Sequence, residues 1–201
     1  MKDQFVVGLV GRMRAGKTTA ATALVQRVGF VEKFFAEPLK SATMLLFRMS
    51  RDQLYTQEGK ETVDSRYGVT PRRVMQWLGQ AVRDEFPGLW EMRLVESIKE
   101  DMIDRPIVVS DIRYDAEAEA VRSLGGVIIE IVRPESISLW QWMKRQLNAS
   151  FRHKSERGIK QSLIDVRVIN DGDIDDLNDT IVHIVKGLMK EKRDAVQETT
   201  H

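Results

Sequence analysis

The chain has no cysteine and only three histidines among its 201 residues. Without cysteine it can form neither a disulfide nor a thiolate metal site, which fits a reducing cytoplasm. The histidines are scattered, with no carboxylate–histidine spacing along one helix face, so a zinc centre is not expected. Charge of one sign is also missing. Lys and Arg total 31 against 30 Asp and Glu, leaving a net charge of +1 and a pI near 8.0. That balance gives no ground for a nucleic-acid polymer or a membrane as partner. No stretch reaches the ~18 apolar residues of a membrane span. The first apolar run, residues 5–10, is too short for a signal peptide and leads straight into a glycine-rich loop. Repeats and low-complexity linkers are missing too. The remaining 42% apolar and 30% charged residues are the composition of a soluble globular protein. The length suits a single domain, residues 1–201, with room for a small lid.

Residues 11–18, Gly-Arg-Met-Arg-Ala-Gly-Lys-Thr, match the phosphate-binding loop G-x-x-x-x-G-K-[ST] in full. Gly11 and Gly16 let the backbone turn and bring its N–H groups to phosphate oxygens. Arg14, Ala15 and Thr19 belong to the same loop and helix start. Lys17 supplies a point charge, and the Thr18 hydroxyl is a ligand for Mg²⁺. The context agrees. Residues 5–10 read as a buried strand, and residues 18–28 as a helix that turns its positive end toward the anion.

Further along, residues 29–35 read as a second strand. Pro38 suits the first turn of the next helix, which carries Lys40. Residues 48–68 are polar, with a weak helix among them. Thr70 is a good N-cap and Pro71 fits the first helical position, so Arg72 and Arg73 fall in the first turn of a helix. A cation there is locally unfavourable unless an anion is near, which makes a phosphate a plausible partner for Arg72. The competing reading is two solvated arginines. A helix is expected from residue 89 to residue 103. Residues 107–111 then form an apolar strand ending in Asp111, the pattern that places a carboxylate beside Mg²⁺. Arg113 follows at the same sheet edge, where ligands of open α/β folds bind. A helix over 116–124 and a fourth strand over 127–132 come next. A basic amphipathic helix over 136–147, with Trp140, Trp142 and Arg145, is a lid candidate, and its competing reading is an ordinary surface helix. Residues 165–169 are the fifth strand. Asn170, Asp171 and Gly172 turn into the last helix, and the polar tail from 190 to 201 is expected to fray.

Five strands separated by helices predict an α/β, three-layer phosphate-loop NTPase fold: a parallel sheet with helices on both faces and a small helical lid. Several segments together resemble the bacteriophage deoxynucleoside monophosphate kinases. They are residues 11–18, residues 35–40, the run 68–79 with its Thr70-Pro71-Arg72 start, Ser110-Asp111-Ile112-Arg113-Tyr114, Gly125-Gly126, residues 153–156 and Asn170-Asp171-Gly172. The resemblance spans roughly residues 5–185. It implies transfer of the terminal phosphate of ATP to a deoxynucleoside monophosphate, with Mg²⁺, in the cytoplasm that serves phage DNA synthesis. Homodimers are common in that family. It also implies that residues 36–104 receive the acceptor and residues 134–160 form the lid, and that the Asn170–Gly172 turn seats the donor adenine. On this view Arg72 is the first choice for the acceptor phosphate, Arg113 the second, and Arg73 or Lys40 a helper. Arg145, with Arg133 or Arg152, closes from the lid. Trp77 or Trp90 would stack on the acceptor base, unless each is simply core packing. Two rivals stand beside this reading: another small-molecule kinase of the dephospho-coenzyme A or phosphomevalonate type, and a nucleotide-dependent switch or assembly factor.

Overall fold

The computed structural model describes residues 4–100, 104–134 and 158–198. The backbone divides into two compact units, Phe34–Asp101 and the remainder of the chain.

The larger unit is built on a five-stranded, all-parallel sheet of order β2-β3-β1-β4-β5. Its strands are β1 (Val6–Val10), β2 (Val31–Lys33), β3 (Ile107–Val109), β4 (Val127–Val132) and β5 (Val166–Ile169). β1 lies at the centre and every residue of it is buried. That is why its sequence is a continuous apolar run rather than an alternation. Side chains alternate across the strand. Val7 and Leu9 face the layer of α1 (Lys17–Val28) and the final helix, where they join Ala20, Leu24, Ile181 and Val185 in one core. Gly8 faces the opposite layer. A Cβ there would come within 2.4 Å of Ile112 and 2.7 Å of Ile128. Helix α7 (Asp115–Ser123) covers that side through Val121.

The smaller unit holds α2 (Ala36–Phe47), α3 (Arg51–Tyr55), α4 (Gln57–Glu61), α5 (Pro71–Glu85) and α6 (Leu89–Glu100). The weak helix expected within 48–68 is two short helices, each with its own cap. Ser50 and Gln53 form a reciprocal capping box, and the Thr56 hydroxyl accepts from Gly59 N. Thr70 caps α5 as expected, accepting from Arg73 N at 3.3 Å, with Pro71 at the first helical position. A small core of Met49, Leu54 and Val74 ties these helices together. The buried Asp64 carboxylate accepts from Arg66 Nη2 (2.6 Å), Arg66 N (3.0 Å) and Gln53 Nε2 (2.8 Å). Those charged and polar donors hold its pKa well below the usual carboxylate range.

Two expectations change. β2 spans only Val31–Lys33, because Gly29 (φ +86°) caps α1 and residues from Phe34 on turn into α2. The tail expected to fray from residue 190 is instead helical, and the final helix, α8, runs Ile174–Glu198. Lys192 helps tie the extension down, with Nζ over the Phe5 ring at 5.9 Å and donating to Gly125 O at 3.4 Å. The lid segment expected over 134–160, with Arg145, Arg152 and the run 153–156, lies almost wholly outside the described residues.

Candidate active site

The loop between β1 and α1 is set by two glycines that no other residue could replace without strain. Gly11 has φ +142°, and a Cβ there would sit 2.3 Å from Ile131 O. Gly16 has φ +110° and forms the N-cap of α1, so no side chain competes for the first N–H groups of that helix. Between them Ala15 is buried, its N–H donating to Arg12 O at 3.1 Å, while Arg14 is exposed at φ +66°.

Lys17 lies half-buried in the first turn of α1. Its Nζ donates to Gly11 O at 2.7 Å and to Arg12 O at 3.0 Å. Burial lowers the pKa of its ammonium, and the nearby positive charge of Arg113 lowers it further. The charge of Arg113 is therefore felt at Lys17. Arg113 is held by its backbone. The buried carboxylate of Glu117 accepts from Arg113 N at 2.7 Å and Tyr114 N at 3.2 Å, closing the turn that starts α7. Sequence reasoning missed Glu117. Its position three residues after the N-cap was a usable signal, but the cap residue, Tyr114, is not one of the usual Ser, Thr, Asp or Asn.

Beside the loop opens a cavity of about 410 Å³, lined by Arg14, Gly16, Lys17, Thr18, Thr19, Arg133, Asn170, Gly172, Asp173, Ile174 and Leu177. Of the residues read as donor-binding, Arg14, Gly16, Lys17, Thr18, Thr19, Asn170 and Gly172 meet there. Gly11 and Ala15 shape the loop from behind, and Asp171 is exposed and not part of the wall. Arg133, offered as a lid residue, stands in the cavity wall at the end of β4. Ile174 and Leu177 were not anticipated as cavity residues. They supply an apolar side to a polar cleft, and Ile174 is exposed. Asp173 caps α8 by accepting from Asp175 N (2.8 Å) and Asp176 N (2.9 Å).

Asp111 lies two residues past the end of β3, on the strand next to β1. The preceding Ser110 is buried and its hydroxyl donates to Glu32 on β2. The Thr18 hydroxyl and the Asp111 carboxylate are hard oxygen donors of the kind Mg²⁺ takes. Among the described residues no three His, Asp or Glu side chains converge into a metal cage. Such a donor set fits an ion that arrives on a nucleotide and keeps phosphate and water ligands, as Mg²⁺ does.

Of the residues read as acceptor-binding, Lys40, Arg72, Arg73, Trp77 and Trp90 lie in the smaller unit, whereas Arg113, the second choice for the acceptor phosphate, belongs to the larger one. Arg72 is paired. Its Nε donates to Glu61 at 2.6 Å and its Nη2 reaches Gln57 at 3.4 Å. The negative partner that a first-turn cation calls for is thus supplied from α4. Arg73 is exposed. Lys40 lies over the rings of Tyr55 (4.1 Å) and Phe34 (5.4 Å) and 3.9 Å from Glu37. Tyr55 donates to Glu37, and burial together with that bond pushes the phenol up to about 12. Trp77 is 62% exposed and makes a T-shaped contact with Phe47. Trp90, the other stacking candidate, is buried, with its indole N–H donating to Gly79 O at 3.2 Å. Packing accounts for that ring, so the stacking role offered for it falls away.

The family model for deoxynucleotide monophosphate kinase matches residues 55–181. A protein of Acanthamoeba polyphaga mimivirus, assigned provisionally as a deoxynucleotide monophosphate kinase, is 41% identical over 143 residues, covering 64% of this chain and 74% of that protein. Among solved structures, dephospho-CoA kinase from Campylobacter jejuni is similar in fold, with a TM-score of 0.54 at 16% identity over 96% of this chain and all of that one. The TT1252 protein of Thermus thermophilus gives 0.51 at 16% identity over 92% and 98%. At such identities these two likenesses speak for the fold alone.

Proposed function

The chain belongs to the deoxynucleotide monophosphate kinase family, and from that premise we propose that it transfers the terminal phosphate of ATP to a deoxynucleoside monophosphate. The products are the deoxynucleoside diphosphate and ADP. The observation that carries the reading is the cavity lined by the phosphate loop and by the turn at Asn170 and Gly172, in a chain of this family.

The chemistry follows from charge. The second pKa of a phosphate monoester is about 6, so near neutral pH the acceptor is already mostly dianionic. An acceptor oxygen bonds to the terminal phosphorus as the bond to the bridging oxygen breaks. ADP departs with the electron pair, and no proton changes hands. A general base is therefore unnecessary, and Asp111 serves as a Mg²⁺-side or substrate-orienting carboxylate. The difficulty is repulsion between two polyanions, which positioned positive charge offsets. Lys17, Arg14 and the N–H groups at the start of α1 supply that charge on the donor side. Thr18 and Asp111 would hold Mg²⁺, which would supply positive charge to the donor's phosphates. On the acceptor side Arg72 is assigned the phosphate first and Arg113 second, with Arg73 or Lys40 assisting and Trp77 offering a ring face to the base. Arg145 is assigned to the lid. Residues 36–104 form the acceptor region and residues 134–160 the lid. The setting is the cytoplasm of a cell making viral DNA, with the protein as a homodimer.

The test is ADP release from Mg-ATP against a panel of ribo- and deoxyribonucleoside monophosphates with dephospho-coenzyme A included. Lys17→Ala serves as the control. Turnover that requires a deoxynucleotide and is largely lost in the variant is expected. Hydrolysis independent of any acceptor, or turnover on the coenzyme precursor alone, would overturn the assignment.

A further inference from the structure

Asn170 is read above as part of the donor seat, yet its side chain is committed elsewhere. Its Nδ2 donates to Ala15 O at 2.8 Å, in a buried contact between residues 155 positions apart. A carbonyl oxygen can only accept, so the amide nitrogen must face it. The backbone of Asn170 is fixed as well, because its N–H donates to Val132 O at 2.8 Å and continues the β4–β5 ladder. The other side of the contact is equally close. A Cβ on Gly16 would lie 2.7 Å from both Asn170 Nδ2 and Leu177 Cδ2. The phosphate loop at Ala15 and Gly16 therefore rests on Asn170 and Leu177, and only a glycine leaves them room.

We propose that Asn170 is a positioning residue for the phosphate loop, a latch that fixes Ala15 and Gly16 to the end of β5, rather than a reader of the donor base. This rests on the donor site described above. The latch joins the turn at the base end of the cavity to the loop at its phosphate end, so the two ends keep one spacing. With the amide spent on Ala15 O, recognition of the base falls to the walls beyond it, Gly172, Asp173 and Ile174.

A donor without a base separates the two roles. Binding of Mg-ATP and of Mg-tripolyphosphate is measured by calorimetry on the full chain, for wild type, Asn170→Asp and Asn170→Ser. A latch acts through the loop, so each variant is expected to weaken both ligands by a similar factor, roughly ten-fold for one buried hydrogen bond. In Asn170→Asp the carboxylate faces Ala15 O with no proton to donate. Lowering the pH protonates it and restores a donor, so its deficit should shrink toward acid while that of Asn170→Ser stays constant. This pH signature is not expected of a merely structural defect, and Asn170→Ser keeps the comparison if Asn170→Asp folds poorly. Weakened ATP binding with tripolyphosphate binding unchanged would overturn the proposal and make Asn170 a base contact. Wild-type affinity for both ligands in both variants would overturn it too. Failure of the underlying donor site would show differently, as wild-type protein that binds neither ligand.

Discussion

Lys17 is destabilised as a cation by burial first and by Arg113 second, which has a consequence for pH. Its pKa lies below that of a free lysine, so it loses its charge at a lower pH than usual, and the affinity for Mg-ATP should fall correspondingly early on the alkaline side. Replacing Arg113 by Gln removes one of the two causes. The alkaline limb of the affinity profile should then move to higher pH, measured by donor binding from neutral to alkaline pH. A limb that stays in place would mean that Arg113 exerts no field on Lys17. Arg72 offers a second case in which magnitude decides the outcome. Its pair with Glu61 is partly exposed, 36% and 52% for the two side chains, so it is worth at most ~1 kcal/mol. A dianionic phosphate can displace so weak a partner. If Arg72 holds the acceptor, Glu61→Gln should lower the acceptor KM by up to about five-fold with little change in kcat. Arg72→Ala should raise that KM. A rise in KM for Glu61→Gln would instead make Glu61 a residue that orients Arg72.

At the scale of elements, two glycines with opposite surroundings give opposite expectations. Gly11 combines a positive φ with a Cβ position 2.3 Å from a backbone carbonyl, so Gly11→Ala should cost on the order of 2 kcal/mol. Gly187 lies inside α8, and a methyl group added there would meet nothing within 4 Å. Alanine at that position relieves the entropy cost of a mid-helix glycine, a gain of up to about 1 kcal/mol. Thermal melts should show Gly11→Ala falling by ~4–8 °C and Gly187→Ala rising by ~2–4 °C. These elements also show what the sequence discloses. The buried strands were legible because apolar, β-branched runs have no other use at that length, and the loop because its glycines and lysine are fixed by phosphate chemistry. Thr70-Pro71 marked the start of α5 to the residue. The pairing of Arg72 with Glu61 was not legible, since it depends on where α4 places a carboxylate 11 positions away. Nor was the Asn170–Ala15 contact, which exists only after β5 has been laid beside β4. Trp77 and Trp90 have the same composition signal, and only packing separates an exposed ring from a buried one. The tail misled because polarity marks solvent exposure, and an exposed helix is as polar as a frayed end.

Across the whole molecule the near balance of charge, +1 overall, means that acidification adds positive charge everywhere and destabilises by general repulsion. One carboxylate should stand out against that background. Asp64 is held low by Arg66 and Gln53, whereas in the unfolded chain it titrates near the ordinary value of ~3.9. A depressed folded pKa contributes stability that is fully present above the unfolded value and is lost as pH falls below it toward the folded pKa. Asp64→Asn removes that contribution at every pH, while the general repulsion acts on both proteins. The melting temperature of the variant should therefore lie below that of wild type near neutral pH, and the gap should narrow as the pH falls below about 4. Because Asp64 also bonds Arg66 N and pairs with Val69 in an isolated antiparallel bridge, the stability at stake is that of the turn leading into Thr70 and α5. Loss of that turn would free the helix start on which Arg72 stands. The acceptor KM of wild type should accordingly rise at the acid end before donor affinity does, since the donor loop belongs to the other unit. A melting gap that stays constant with pH would show that the shape of the side chain, and not its charge, holds the turn.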